Sequence, residues 1–199
     1  MIEFNPSQLH DNQMYKLLSG SVVPRPIAWV STISEAGCLN LAPFSFFTVA
    51  SRNPPMLCFS IGPGVGERTG TEKDTFVNIK AIGEFVVNVV PASLGNQMHV
   101  TAENVEEIID EFKRAGVTPV ESRTVRAKRV KEAPIQMECR LEQMISLGSD
   151  WLIIGRVTHY HIQEDVYLGD YKVDLDRLSP LGRLAGNYSE VGEVFTLPR

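Results

Sequence analysis

In the segment Ile135-Gln136-Met137-Glu138-Cys139-Arg140-Leu141-Glu142 every odd position is apolar and every even one polar or charged. A period of two puts alternate side chains on opposite faces of an extended chain. This segment is therefore predicted as a strand with one face on a core and the other on water or a partner. Trp151 to His161 reads as a second long strand, apolar on both sides over its first half and so buried on both faces there. Shorter strands are predicted at Ile27 to Ile33, Phe46 to Val49, Met56 to Ile61 and Glu84 to Val90, each bounded by Gly, Pro or Asn. That many strands in one chain point to a sandwich or barrel.

Helical spacing is rarer. Residues 6 to 18 open with Pro6 in a first turn and stop before Gly20, which predicts one helix there. Asp74 or Thr75 can cap a short helix running through Phe76, Ile79 and Ile82. Asn104 to Ala115 is amphipathic, with Val105, Ile108, Ile109 and Phe112 on one face, and its acidic run reads as a solvated helix face. Strands and helices do not alternate regularly and there is no internal repeat, so a doubly wound parallel sheet is disfavoured.

Composition narrows the function classes. A chain of 199 residues with 43% hydrophobic content can bury a full core, and a single domain over 1–199 is expected. The net charge of -5, with no long Lys/Arg cluster, disfavours nucleic acid as a partner. The apolar runs are strand-sized, far below the roughly 20 residues of a membrane span, and the N-terminus is too polar for a secretory signal. A cytoplasmic protein without membrane contact is the expectation. Cys38, Cys58 and Cys139 are widely spaced among apolar residues and read as buried thiols rather than a disulfide frame or metal knuckle.

Two segments carry candidate chemistry. Gly62 to Thr75 follows a strand, is rich in Gly and hydroxyl groups, carries Arg68 and Lys73, and leads into a helix. Such a loop can hold a phosphate: glycines allow close backbone approach, the cations give charge-assisted bonds, and free N–H groups at a helix start favour an anion. It matches neither G-x-x-x-x-G-K-[ST] nor G-x-G-x-x-G, and a mobile surface loop is the competing reading. The other is Val23 to Thr32 with Asn40 to Phe47, where Ser31, Thr32, Asn40 and Ser45 stand among aromatic and aliphatic residues. A flat heteroaromatic ligand needs that mixture, and so does an ordinary core hairpin with polar ends.

The ordered runs PRPIAWVST, NLAPFSFF, KDTFVNI with EFVVNVV, and PLGRLAGNYSE resemble the flavin reductase-like domain proteins of the flavoredoxin and nitrilotriacetate-monooxygenase-component type, from about Ser19 to Glu190. The resemblance implies a mainly β fold with flanking helices, an FMN-binding split β-barrel of the closed Greek-key kind, and a homodimer with FMN near the interface. It implies that Trp29, Ser31, Thr32, Asn40, Ala42, Pro43, Ser45 and Phe46 lie along the isoalloxazine and ribityl chain. It further implies that Arg68, Lys73, Asp74 and Thr75 surround the phosphate, and that Gly186, Asn187 and Tyr188 approach the flavin.

The function this implies is an oxidoreductase that takes hydride from NADH or NADPH through FMN to a flavin, a monooxygenase or an electron-transfer protein. A flavoredoxin-like carrier and a flavin-binding module without turnover are the alternatives. The sequence also departs from the family. Where many nicotinamide-dependent members carry Gly-Asp-His, this chain has Gly148-Ser149-Asp150-Trp151, and His161 is the candidate catalytic substitute. His159 and His161 share a strand face, but no third and fourth metal ligand accompanies them.

Overall fold

The computed structural model describes residues 1–64 and 69–198. Its strands in chain order are β1 (Ala28–Ile33), β2 (Leu39–Phe44), β3 (Phe47–Arg52), β4 (Pro55–Ile61), β5 (Glu84–Val89), β6 (Pro119–Val120), β7 (Arg129–Val130), β8 (Ile135–Leu147), β9 (Asp150–Ile162), β10 (Tyr167–Gly169), β11 (Lys172–Val173), β12 (Leu181–Arg183) and β13 (Tyr188–Glu190). The helices are α1 (Asp11–Ser21), α2 (Asp74–Ile82), α3 (Gly95–Val100), α4 (Glu111–Ala115) and α5 (Leu175–Leu178).

Seven strands form one antiparallel sheet in the order β2-β1-β5-β8-β9-β4-β3. Its two edges, β2 and β3, are consecutive in the chain and separated only by Ser45 and Phe46. The three Cα steps from Phe44 to Phe47 reach at most about 11 Å, so the sheet must curl until these strand ends come close. The Ser60 N–H donates to the Phe46 carbonyl at 2.9 Å and pins that junction. Among the described residues no ladder joins β2 to β3, so the sheet is open between them and the closed form that the resemblance implies is not seen. Pro43 on β2 has no N–H to donate, and Ser45-Phe46 spend their length on the crossing rather than on pairing.

Alternation explains the layers. Ala28 and Val30 of β1 point into the barrel with Phe44, Leu57, Phe59, Phe85, Val87, Cys139 and Ile153, and Phe76 and Ile79 of α2 pack into the same core. Trp29 faces the other way and packs with Leu41, Met98 and Phe112, so α3 and α4 cover the outside of β1 and β2. Gly155 on β9 marks a close approach: a Cβ there would lie 2.2 Å from the Phe85 ring and 3.2 Å from Cys139 Cβ. Gly155→Ala is expected to destabilise the protein by about 1–3 kcal/mol through overpacking, measured by urea unfolding.

Several sequence expectations are corrected by the structure. Residues 6 to 18 are not one helix: Pro6–Gln8 is a 3-10 turn, Leu9 is extended, and α1 starts only after His10 and runs through Gly20. Asn5 accepts from the Ser7 N–H, and the Gln13 side chain accepts from the His10 N–H, so two separate caps divide the segment. Lys73, not Asp74 or Thr75, is the N-cap residue of α2. The amphipathic 104–115 stretch is helical only over α4, which Asp110 caps by accepting from the Lys113 N–H. Cys139 is buried, but Cys38 and Cys58 are half-buried, and all three are free thiols.

The even face of β8 is also not simply wetted. Gln136 and Glu138 are buried beneath segment 121–130, which closes over that side of the sheet. Asn88 on β5 accepts from the Val130 N–H, and Gln136 donates to the Val130 carbonyl. The alternation thus selects which residues leave the barrel core, and a later segment uses them as hydrogen-bonding anchors.

Candidate functional site

Two neighbouring cavities share Pro43, Phe44 and Lys73. The smaller, of about 200 Å³, is walled by Asn40 and Ala42 of β2, Lys73, Asp74 and Thr75 at the start of α2, Thr101 to Val105, and Glu111 of α4. The larger, of about 480 Å³, is bounded by Asn12 and Tyr15 of α1, Ser45 and Phe46 at the barrel split, Ser60 of β4, Gly62 and Pro63 just after it, and Asp150. The site therefore lies where the open junction between β2 and β3 meets the helix that plugs the barrel.

A buried polar network fixes the floor. The Asn40 amide donates to Thr32 Oγ1 at 3.0 Å and to Thr75 Oγ1 at 2.9 Å, while the Asn78 amide donates to Thr32 Oγ1 at 3.0 Å. Neutral groups with satisfied bonds are rigid here without a charge to desolvate. They tie the first turn of α2 to β1 and β2. The Lys73 ammonium lies 5.7 Å from the Phe44 ring centroid, and Tyr15 stacks near Phe46 with centroids 6.2 Å apart. One end of the site is thus cationic and hydroxyl-bearing, the other aromatic.

Of the residues singled out from sequence, Asn40, Ala42, Pro43, Ser45, Phe46, Lys73, Asp74 and Thr75 line these cavities. Thr32 stands behind Asn40. Trp29 and Ser31 are fully buried on the outer face of β1, where Trp29 Nε1 donates to Thr101 Oγ1 at 2.9 Å and Ser31 donates to the Lys128 carbonyl. Trp29 reaches the cavity only by orienting Thr101. Gly186, Asn187 and Tyr188 belong to the β12–β13 hairpin, with Tyr188 under Arg183 and 3.4 Å from His99 Nδ1. Arg68 falls outside the described residues.

His161 is placed on the outer face of β9. Its Nε2 is 2.7 Å from Glu138 Oε1, and it lines neither cavity. Glu138 also accepts from the Arg123 N–H, the Thr124 N–H and Thr124 Oγ1 at 2.8, 2.6 and 2.7 Å. Burial pushes its carboxyl up, but these bonds outweigh burial and hold it at about 2. For His161 burial outweighs the Glu138 hydrogen bond and lowers the imidazole below its ordinary value.

Sequence reasoning missed two residues. Arg25 is buried, and its guanidinium donates to the carbonyls of Ser19, Val22 and Leu184 and to Ser45 Oγ at 3.4 Å. It ties α1 and the C-terminal hairpin to the barrel split, and its only sequence signal is its place between Pro24 and Pro26. Glu111, assigned from sequence to a solvated face, is instead buried against β2 and accepts from the Leu41 N–H at 3.3 Å. Desolvation, with Asp74 and Asp110 adding like charge, raises its carboxyl to about 7. The Asp110 cap and the Gly116 stop, which shorten α4 to one turn, were the available hint.

Residues 19–179 match the family model described as flavin reductase like domain. The chain belongs to that family. This flavin reductase-like chain is 42% identical to the Bacillus subtilis protein YwrF, with 100% of this chain and 99% of the relative covered. It resembles the crystal structure of nitrilotriacetate monooxygenase component B from Bacillus cereus with a TM-score of 0.93 and 38% identity, covering 99% and 98% of the two chains. It also resembles the 2-nitrobenzoate 2-nitroreductase NbaA of Pseudomonas fluorescens with a TM-score of 0.89 and 29% identity, covering 100% and 96%. Membership implies flavin binding and an oxidoreductase setting. Among the described residues no helix is long and apolar enough to cross a membrane.

Proposed function

We propose that this chain binds FMN across the paired cavities and passes hydride or electrons from NADH or NADPH to a flavin or protein acceptor. The observation that carries this reading is the convergence of Lys73, Thr75 and Asn40 at the first turn of α2, beside the Pro43 to Phe46 turn with its aromatic neighbours. A phosphate monoester suits the cationic, hydroxyl-bearing end and the start of a nine-residue helix. A flat ring suits the other end, and the larger cavity alone is within the about 300–1,000 Å³ usual for small-molecule sites.

When bound, FMN supplies the redox chemistry itself, and the protein's share is binding, orientation and exclusion of water. Lys73 and Thr75 would hold the phosphate, with Arg68 on the adjoining loop. Backbone groups of the Asn40 to Ser45 run would address the ring edge, and Thr32 and Asn78 would keep Asn40 in place. Trp29 and Ser31 would support that wall from behind. We place His161 in the Glu138 network as a structural partner of segment 121–130. Gly186 has open space around it in the single chain, which suits a hairpin that covers the site of a second copy in a cytoplasmic homodimer. The likeness to a monooxygenase component supports a partner monooxygenase as acceptor.

One observation favours the electron-carrier reading. Asp150, in the stretch where many relatives carry Gly-Asp-His, lines the larger cavity with a carboxylate rather than an imidazole. Steady NADH or NADPH oxidation with FMN supports the reductase. Its absence, with electron transfer from photoreduced protein to a protein acceptor, supports the carrier.

FMN is expected to bind more tightly than riboflavin, and the purified protein to show a flavin absorption spectrum on adding FMN. Lys73→Ala should weaken FMN about tenfold, since a charge-assisted bond is worth about 1.5–3 kcal/mol and about 1.4 kcal/mol is a decade, while riboflavin changes little. Equal binding of the two flavins by the wild type would remove the phosphate site.

A further inference from the structure

Glu111 shares the smaller cavity with the residues that the FMN reading assigns to the phosphate. Its position there is unusual for a carboxylate. The residue is 6% exposed, and its carboxylate is met by backbone N–H groups only, those of Leu41 and of Glu111 itself. From α2 it faces Lys73 and Asp74, and from β2 the neutral Asn40 and the Leu41 N–H. Asp110 precedes it on its own helix, and Glu103, ion-paired with Arg114, lies on the opposite wall. His99 of α3 is turned toward Tyr188. Among the described residues that line this cavity, Lys73 carries positive charge and Asp74 and Glu111 carry carboxyl groups, while the Glu103 charge is matched by Arg114.

Lys73, Thr75 and the start of α2 invite an anion, and a buried Glu111 carboxylate with Asp74 near it opposes one. The conflict is resolved when the most buried carboxyl is neutral. We propose that Glu111 is a proton-coupled binding residue: an anionic ligand enters beside it with its carboxyl protonated, so binding of the FMN phosphate takes up one proton from solvent. The inference rests on the FMN reading. The protonated acid removes a negative charge from the wall and gains an O–H that can donate to a phosphate or ribityl oxygen. Desolvation already brings Glu111 to about 7, so the proton costs little near neutral pH. A bound phosphate raises that value further, because a like charge disfavours the ionised form.

The sign follows from linkage. Affinity is full below pH 7 and falls as pH rises through the value of the free protein, flattening once the bound-state value is passed. Above pH 7 a phosphate monoester, with a second pKa of about 6, is already dianionic, so the ligand's own titration does not interfere.

The experiment is FMN titration by flavin fluorescence from pH 6.5 to 9, with calorimetry in two buffers of different ionisation heat. The wild type is expected to lose about tenfold in FMN affinity between pH 7 and 8.5 and to take up close to one proton per FMN at the upper end. Glu111→Gln should bind FMN with flat affinity over that range, and riboflavin should show little dependence on either protein. Wild-type FMN binding that is independent of pH, with no proton taken up, overturns the proposal even if the variant fails to fold. The same pH dependence in Glu111→Gln also overturns it. No FMN binding at any pH removes the FMN reading itself, an outcome distinct from pH-independent binding.

Discussion

Glu138→Ala is expected to cost about 3 to 5 kcal/mol of folding stability, the range for removing one partner of a buried charged network. The side chain is fully buried. Its loss strands the N–H groups of Arg123 and Thr124, the Thr124 hydroxyl and His161 Nε2. Each buried donor left unsatisfied costs about 1–3 kcal/mol. The Thr158 hydroxyl is within 2.6 Å of Thr124 Oγ1, beside a register shift between β8 and β9, so the same deletion loosens the bulge. For a chain of this size the melting temperature should fall by about 10 °C. Urea unfolding and calorimetry measure it.

The same residue sets the acid limb of stability. The Glu138 carboxyl is held at about 2 in the fold against 4.5 for the ordinary group, so the unfolded chain binds the proton more readily. Its contribution is present above pH 4.5 and is lost as pH falls toward 2. His161, lowered by burial, acts in the same direction, because the unfolded imidazole takes up its proton first as pH drops below 6.5. Glu138→Gln should therefore flatten the dependence of stability on pH below 4.5. An acid limb unchanged by that substitution would assign it to other carboxylates.

What was legible in the sequence follows from how local each signal is. Strict alternation over 135–142 located β8, and the apolar run after Asp150 located β9, because both faces of a strand are written in consecutive residues. The order Asn40 to Phe46, then Lys73 to Thr75, marked the shared wall of the two cavities, since a turn and a helix start are local as well. Burial of Gln136 and Glu138 was not legible, because the cover comes from backbone donors of segment 121–130 whose docking leaves no periodic trace. The split of the barrel was equally hidden. It depends on Ser45-Phe46 joining the two edge strands of a seven-stranded sheet, which only the strand order reveals. Glu111 was misread because an amphipathic spacing over 104–115 suggested a long helix, whereas Asp110 and Gly116 confine it to one turn and bring the residue inward.

Glu111→Gln is expected to stabilise the ligand-free protein at alkaline pH, by about 2 to 3 kcal/mol at pH 8.5. The folded carboxyl lies at about 7 and the ordinary group at 4.5, and each pH unit of separation is worth about 1.4 kcal/mol. A raised folded value means that the native state holds the proton more tightly than the unfolded chain. Stability is then full below pH 4.5 and declines as pH rises through 7, beyond which the whole cost of a buried charge beside Asp74 and Asp110 is present. Glutamine keeps an oxygen for the Leu41 N–H and carries no charge, so it escapes that cost while preserving the contact. The difference between variant and wild type should therefore be small near pH 5 and grow steadily to pH 8.5. Urea unfolding at four or five pH values measures it. A difference that does not change with pH would mean that Glu111 is already solvated as a carboxylate, and would leave the cavity wall charged at neutral pH.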